Sequence, residues 1–179
     1  MAIRVLHRQA ARKAGPTATV LDLTSRGPAP WVRFSPFFPH GGIPVHGSPG
    51  RTATTVEGIW QALKVFERAD VDERVLSITT MTGLKRSVRK HGRVLGHRDG
   101  LAGQTLLGYI AARRAIYLPT YKYVLEHRLQ PELAELRRLA AAGDVALLDF
   151  ATNTDVDDPS KPLSHAGLVM HYIQGTWPT

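Results

Sequence analysis

A chain of 179 residues, 43% of them hydrophobic, is long enough to bury one core and too short for two ordinary domains, so a single domain is expected. The formal charge of +8, from 23 Lys and Arg against 15 Asp and Glu, favours polyanionic partners such as nucleic acid or phosphorylated small molecules, although an Arg- and Ala-rich composition produces the same excess by itself. Having no cysteine, the chain has no disulfide, no thiolate metal site and no cysteine nucleophile; no apolar run reaches the roughly 18 residues that span a bilayer, which points to a cytoplasmic protein without a membrane partner.

Met1 to Pro16 reads as a basic arm, its apolar residues broken by Arg4, His7, Arg8 and Arg12, and residues 17–179 read as the folded domain. Thr17 to Leu23 alternates with β-branched character and is read as a strand. From Arg26 to Arg51 the chain is rich in Pro and Gly, yet Trp31, Phe34, Phe37 and Phe38 make it an ordered, substrate-facing loop rather than a linker. The strongest helix starts at Thr54. At about 100° per residue, Val56, Ile59, Trp60, Leu63 and Phe66 fall on one side and Glu57, Gln61, Lys64 and Arg68 on the other. Thr54 and Glu57 also have the capping-box spacing. Glu57 therefore has two available roles, a solvated cap or a chemical group in a cleft, and the direction of the polar stripe decides between them.

Asp70 to Glu73 repeats the cap chemistry, and a second helix is predicted over Arg74 to Met81, ending at Gly83. Leu84 to Arg98 concentrates Lys85, Arg86, Arg89, Lys90, Arg93 and Arg98 with His91 and His97, equally suited to a solvated loop or a phosphate-binding surface. Leu101 to Tyr117 is read as a helix interrupted by Pro119, and Pro131 to Ala142 as a helix closed by Gly143. Val145 to Phe150 has strand character, Thr152 to Pro159 forms an acidic loop, and His165 to Gln174 closes the chain as a helix. No histidine has metal-site spacing on a helix, so no metal is expected. Gly47-Ser48-Pro49-Gly50-Arg51 falls short of a phosphate loop, and His97-Arg98-Asp99 lacks the accompanying segments of a kinase.

There remains an ordered set: Arg33-Phe34-Ser35-x-Phe37, Ile43-x-Val45-x-Gly47, Thr55-x-Glu57-x-x-Gln61-Ala62-x-Lys64, and a late Asp155. In these the chain resembles the NADAR superfamily, whose members carry F-S-N-F, a short I-x-V-x-G hairpin and S-x-E-H-x-x-Q-A-x-K on a helix. Lys122-Tyr123, His127 and Leu133 to Leu139 extend the likeness, which covers about Thr19 to Gln174 and is dense only between Arg33 and Lys64. Gly58 stands where the family has histidine, and Pro36 where it has asparagine. The resemblance implies an α+β fold, a single mostly helical domain with a few short strands. It implies an N-glycosidase acting on an ADP-ribosyl or phosphoribosyl bond, such as ADP-ribose on guanine of nucleic acid, with no cofactor. The matching positions make Glu57 and Asp155 the catalytic carboxylates, and Arg33, Phe34, Ser35, Gln61 and Lys64 the substrate contacts. Tyr109 is the nearest counterpart of the family tryptophan. A carboxylate beside the ribose C1′ stabilises developing oxocarbenium charge and deprotonates water. Two other readings stand beside this one: a non-catalytic ADP-ribose, nucleotide or nucleic-acid binding module, and a structural nucleic-acid binder with no nucleotide pocket.

Overall fold

The computed structural model describes residues 2–178; Met1 and Thr179, the outer ends of the two segments expected from sequence, lie outside the described residues. In chain order the elements are strands β1 (Ile3–His7), β2 (Thr19–Asp22), β3 (Ile43–Pro44) and β4 (Thr52–Ala53), then helix α1 (Val56–Ala62) and strand β5 (Lys64–Phe66). Helix α2 (Val88–His91), strands β6 (Val94–Arg98) and β7 (Leu106–Leu107), and helices α3 (Tyr109–Ala112), α4 (Leu118–Arg128) and α5 (Gln130–Ala142) come next. Strand β8 (Val145–Asp149) and helix α6 (His165–Gln174) complete the chain. The class is α+β, with helix outweighing strand. No helix among the described residues is long and apolar enough to cross a membrane.

The elements gather into two compact units, one of residues 1–35 and 125–179, the other of residues 36–124. In the first, β8 lies between β1 and β2 in a three-stranded sheet, parallel to both. Every residue of β8 is buried, which is why its Val-Ala-Leu-Leu run is continuous rather than alternating. The segment read as a basic arm is thus largely structured: Ile3–His7 pairs residue by residue with Val145–Asp149. Its cations are also engaged, Arg4 donating to the Ala14 carbonyl and Arg8 pairing with Asp22 at 2.7 Å. Helix α5 carries its proline in the first turn and Gly143 at its end, and buries Leu133 and Leu136. Helix α6 is capped by Ser164, whose Oγ accepts from the Gly167 N–H.

In the second unit, β3 and β4 form a short antiparallel hairpin, and β5-β6-β7 an antiparallel sheet. Three predicted helices are redrawn here. The first stops at Ala62 instead of continuing past Phe66, because Lys64–Phe66 pairs with Val94–His97 as a strand. Arg86 seals that end, its guanidinium donating to the carbonyls of Gln61, Lys64 and Asp70 at 3.1, 2.6 and 2.6 Å. The helix expected over Arg74 to Met81 is a 3-10 turn confined to Glu73–Ser77. The helix expected from Leu101 begins only at Tyr109, since Leu106–Leu107 joins β6 as a strand. Nor does Pro119 interrupt the helical path. A π-helical turn, Arg113–Tyr117, links α3 to α4, with Ala112 and Leu118 both in right-handed helical geometry. A wider turn just before the proline accommodates a ring that has no N–H to donate.

Candidate functional site

Glu57 and Gln61 are one turn apart on α1 and only 8% and 4% exposed, so the polar stripe of this helix faces the interior. The cap is made by Thr55 rather than Thr54: its side chain accepts from the Gly58 N–H at 2.8 Å, while the Thr54 N–H is spent on the Leu76 carbonyl. Moving the cap by one residue removes the capping box and releases Glu57 from it. Its Oε1 accepts from Gln61 Nε2 at 2.8 Å, and Gln61 Oε1 accepts from the Arg86 backbone N–H at 3.1 Å. That relay fixes which way the Gln61 amide points, with its Nε2 towards Glu57. Burial raises the Glu57 carboxyl above its ordinary range, a rise opposed by the Gln61 hydrogen bond and by the charges of Lys64 and Lys85.

Lys64 lies just past the helix, at the start of β5. Burial lowers its ammonium below the usual lysine range, Glu57 counteracts this, and Lys85 and Arg86 add to the lowering. Its Nζ lies 6.0 Å from the centre of the Trp60 ring. A cavity of about 280 Å3 is lined by Lys64, Val94, Leu95, Gly96, His97 and Tyr109. His97 is 1% exposed, and neither ring nitrogen has a hydrogen-bond partner. Burial and the nearby Lys64 charge drive its pKa down to about 3, so the ring is neutral. Trp60 packs over it with centroids 3.8 Å apart, and Tyr109 meets Trp60 edge-on at 6.1 Å.

Glu57, Gln61, Lys64 and Tyr109 thus belong to the unit of residues 36–124, whereas Arg33, Phe34, Ser35 and Asp155 belong to the other. Arg33 pairs with Glu132 and donates to the Arg128 carbonyl at 3.0 Å. Phe34 is fully buried, stacked on Trp31 at 6.2 Å, and Ser35 is buried beside it in sequence. Asp155 sits in an exposed loop, where its Oδ1 accepts from the Asp157 N–H at 2.9 Å. Of the basic stretch, Arg86 caps α1, and Arg93 and Arg98 pair with Glu67 and Asp70 at 3.3 and 2.8 Å. Gly58, where the NADAR pattern has histidine, has no space for a side chain: a Cβ would stand 2.8 Å from Thr55 Oγ1 and 3.2 Å from the Val75 carbonyl oxygen.

Sequence reasoning missed two groups. One is His97, which nothing in its local sequence separates from the surrounding cations. The other is a buried pair in the first unit, His165 Nδ1 and Asp149 Oδ2 at 3.0 Å, with Ser164 Oγ donating to the same oxygen at 2.8 Å and His165 Nε2 at 2.9 Å from the Leu23 carbonyl. Burial works against both charges. It is outweighed at Asp149 by the His165 charge and hydrogen bonds, which bring the carboxyl to about 2, and at His165 by Asp149, which raises the imidazole. Among the described residues, no group of three or more His, Asp or Glu side chains could hold a metal ion.

No curated protein and no solved structure is significantly similar to the chain. Residues 4–169 match the description of a family of unknown function (DUF6939), and the chain is a member of that family.

Proposed function

We propose that the chain is an N-glycosidase acting on an ADP-ribosyl or phosphoribosyl N-glycosidic bond, with Glu57 as its principal catalytic group. The observation that carries this reading is the buried Glu57 carboxyl, oriented by the Gln61 amide, whose Nε2 donates to Glu57 Oε1 at 2.8 Å. Its raised pKa supports the assignment, because a carboxyl whose basicity is moved towards the working pH is a better base. The water oxygen bonds to C1′ and one water proton passes to Glu57. The electrons of the breaking C1′–N bond stay on the base nitrogen, which takes up the proton that Glu57 received, leaving Glu57 ionised again. Lys64 supplies a positive charge for the phosphate of such a substrate. Glu57 carries the reading; the part the resemblance gives to Asp155, whose Oδ1 accepts from the Asp157 N–H in an exposed loop, belongs to the same proposal. The NADAR-like motifs around Glu57 and a cytoplasmic setting, where nucleotides and nucleic acids abound, belong to the same proposal.

The test is release of free ADP-ribose from an ADP-ribosylated guanine oligonucleotide, monitored by chromatography. Release by the wild type that disappears in Glu57→Gln, with ADP-ribose affinity retained by calorimetry, is the expected result. Release that survives in Glu57→Gln, or ADP-ribose binding with no release, overturns it, the latter in favour of a binding module.

A further inference from the structure

Residues 67–98 hold half of the formal excess of +8, with eight Lys and Arg against four Asp and Glu, and the structure divides those cations into two sets. Arg74, Arg93 and Arg98 pair with Asp72, Glu67 and Asp70 at 2.8, 3.3 and 2.8 Å, and Arg86 donates to the carbonyls at the end of α1. Arg68, Lys85, Arg89 and Lys90 are exposed and, among the described residues, form no ion pair.

The unpaired set is gathered in one place. Ser87 caps α2, accepting from the Lys90 N–H at 3.3 Å, and the Arg68 N–H donates to the His91 carbonyl at 3.0 Å. The turn that carries Arg68 therefore lies against the end of the helix that carries Arg89 and Lys90. Partial burial lowers the His91 imidazole below its ordinary range, and the charges of Arg86, Lys90 and Arg68 lower it further, the mark of a locally positive field. Cations left side by side repel one another, and a polyanion relieves that repulsion while releasing its own counterions. Lys85 connects this surface to the candidate site. Its neighbour Arg86 ties the segment to Gln61 and Lys64, its Nζ lies 5.5 Å from the centre of the Phe37 ring, and its charge acts on both Glu57 and Lys64.

The partner follows from what this surface offers. Its cations are long, exposed side chains on a short helix and a turn, and Val88, 58% exposed, is the one large apolar side chain that α2 adds. A membrane surface is held by a broad apolar face as well as by charge, and a protein partner by a desolvated core. A sugar-phosphate backbone needs only exposed Lys and Arg placed at its phosphates. We infer that Arg68, Lys85, Arg89 and Lys90 form a surface that holds the sugar-phosphate backbone of a nucleic acid strand, with Lys85 at the end towards Glu57. That a modified nucleotide of this strand is the substrate rests on the N-glycosidase reading; that the surface binds the strand does not.

Binding of an unmodified single-stranded oligonucleotide to the full chain is measured by fluorescence anisotropy as the salt is raised. Between about 50 mM and 200 mM, contacts to about four phosphates should weaken wild-type binding about 50-fold, whereas the triple variant Arg68→Gln, Arg89→Gln, Lys90→Gln, with one contact left, should lose only about threefold. The three side chains are exposed and unpaired, so this variant should keep the wild-type Tm, and the wild-type salt dependence needs no variant to fold. A control that removes the same charge from the exposed Arg12, Lys13 and Arg26 of the other unit, each changed to Gln, should keep the wild-type salt dependence. Wild-type binding that is indifferent to salt, the same loss in both triple variants, or equally tight binding to phosphatidylserine vesicles through the same three residues overturns the inference. Salt-dependent binding through these residues in a protein that releases no ADP-ribose sinks the glycosidase reading alone. Equal release from ADP-ribosylated guanosine and from the modified oligonucleotide, with no salt-dependent binding, sinks the backbone surface alone.

Discussion

The buried imidazole of His97 should set much of the acid sensitivity of this protein. In the unfolded chain it titrates near its ordinary 6.5, whereas in the fold it stays neutral down to about 3. The native state therefore binds fewer protons than the unfolded state in that window, so the stability tied to His97 is complete above pH 6.5 and is lost as the pH falls towards 3. At pH 4 the gap to 6.5 corresponds to a loss of about 3 kcal/mol, and with the side chain 1% exposed no discount for solvent screening applies. Replacement by leucine removes the titration. At pH 7 the same change gives up a ring contact with Trp60 worth about 0.5–1.5 kcal/mol and relieves two unpartnered polar atoms, worth about 1–3 kcal/mol; the variant should be as stable as the wild type or slightly more so. Urea unfolding of both proteins at pH 7 and pH 4 gives the comparison directly, with every other titrating group common to the two and cancelling. The wild type should lose about 3 kcal/mol more than His97→Leu over this interval. Equal losses would refute the reasoning, since His97 would then take up its proton without unfolding.

Gly58→Ala should lower stability by about 1–3 kcal/mol, the cost of overpacking, because the new Cβ meets Thr55 Oγ1 and the Val75 carbonyl at once. Thermal unfolding checks it, and an unchanged Tm would mean that α1 shifts freely. Asp149→Asn should cost about 3–5 kcal/mol at pH 5–6, because it leaves the buried His165 charge unpaired. In the wild type, the Asp149 contribution is complete above 3.8 and is lost as the pH falls towards about 2. The His165 contribution is complete below 6.5 and is lost as the pH rises through its raised value. A urea-denaturation profile that is flat across both limits would contradict the pairing.

Strand β2, helix α5 with its proline and glycine, strand β8 and helix α6 were all legible in the sequence, because each is specified by signals a few residues apart: β-branched alternation, capping residues, an unbroken apolar run. So was the pair Glu57 and Gln61, one turn apart on α1, since a helical repeat sets which residues share a side; Lys64, which the same repeat adds to them, lies on strand β5 instead. The sequence did not tell whether that side faces water. The answer depends on Arg86, which engages Gln61 and Lys64 from about 20 residues away in the chain, and on the one-residue choice of cap, made when the Thr54 N–H is taken by Leu76.

The N-terminal strand shows the same division on a larger scale. Ile3–His7 looks like a charged arm by itself, and it becomes a strand only because Val145–Asp149 lies beside it, 142 residues along the chain. His97 sits among cations in the sequence and beneath Trp60 in the structure. Helix ends, strand pairings and the burial of single polar groups are decided by partners remote in the chain, whose contacts outweigh local propensities of a few tenths of a kcal/mol per residue. The sequence by itself determined the residue types, the strongest local elements and the order of the motifs. Tertiary structure alone decided which of those residues became a buried, partly unpaired and chemically perturbed cluster.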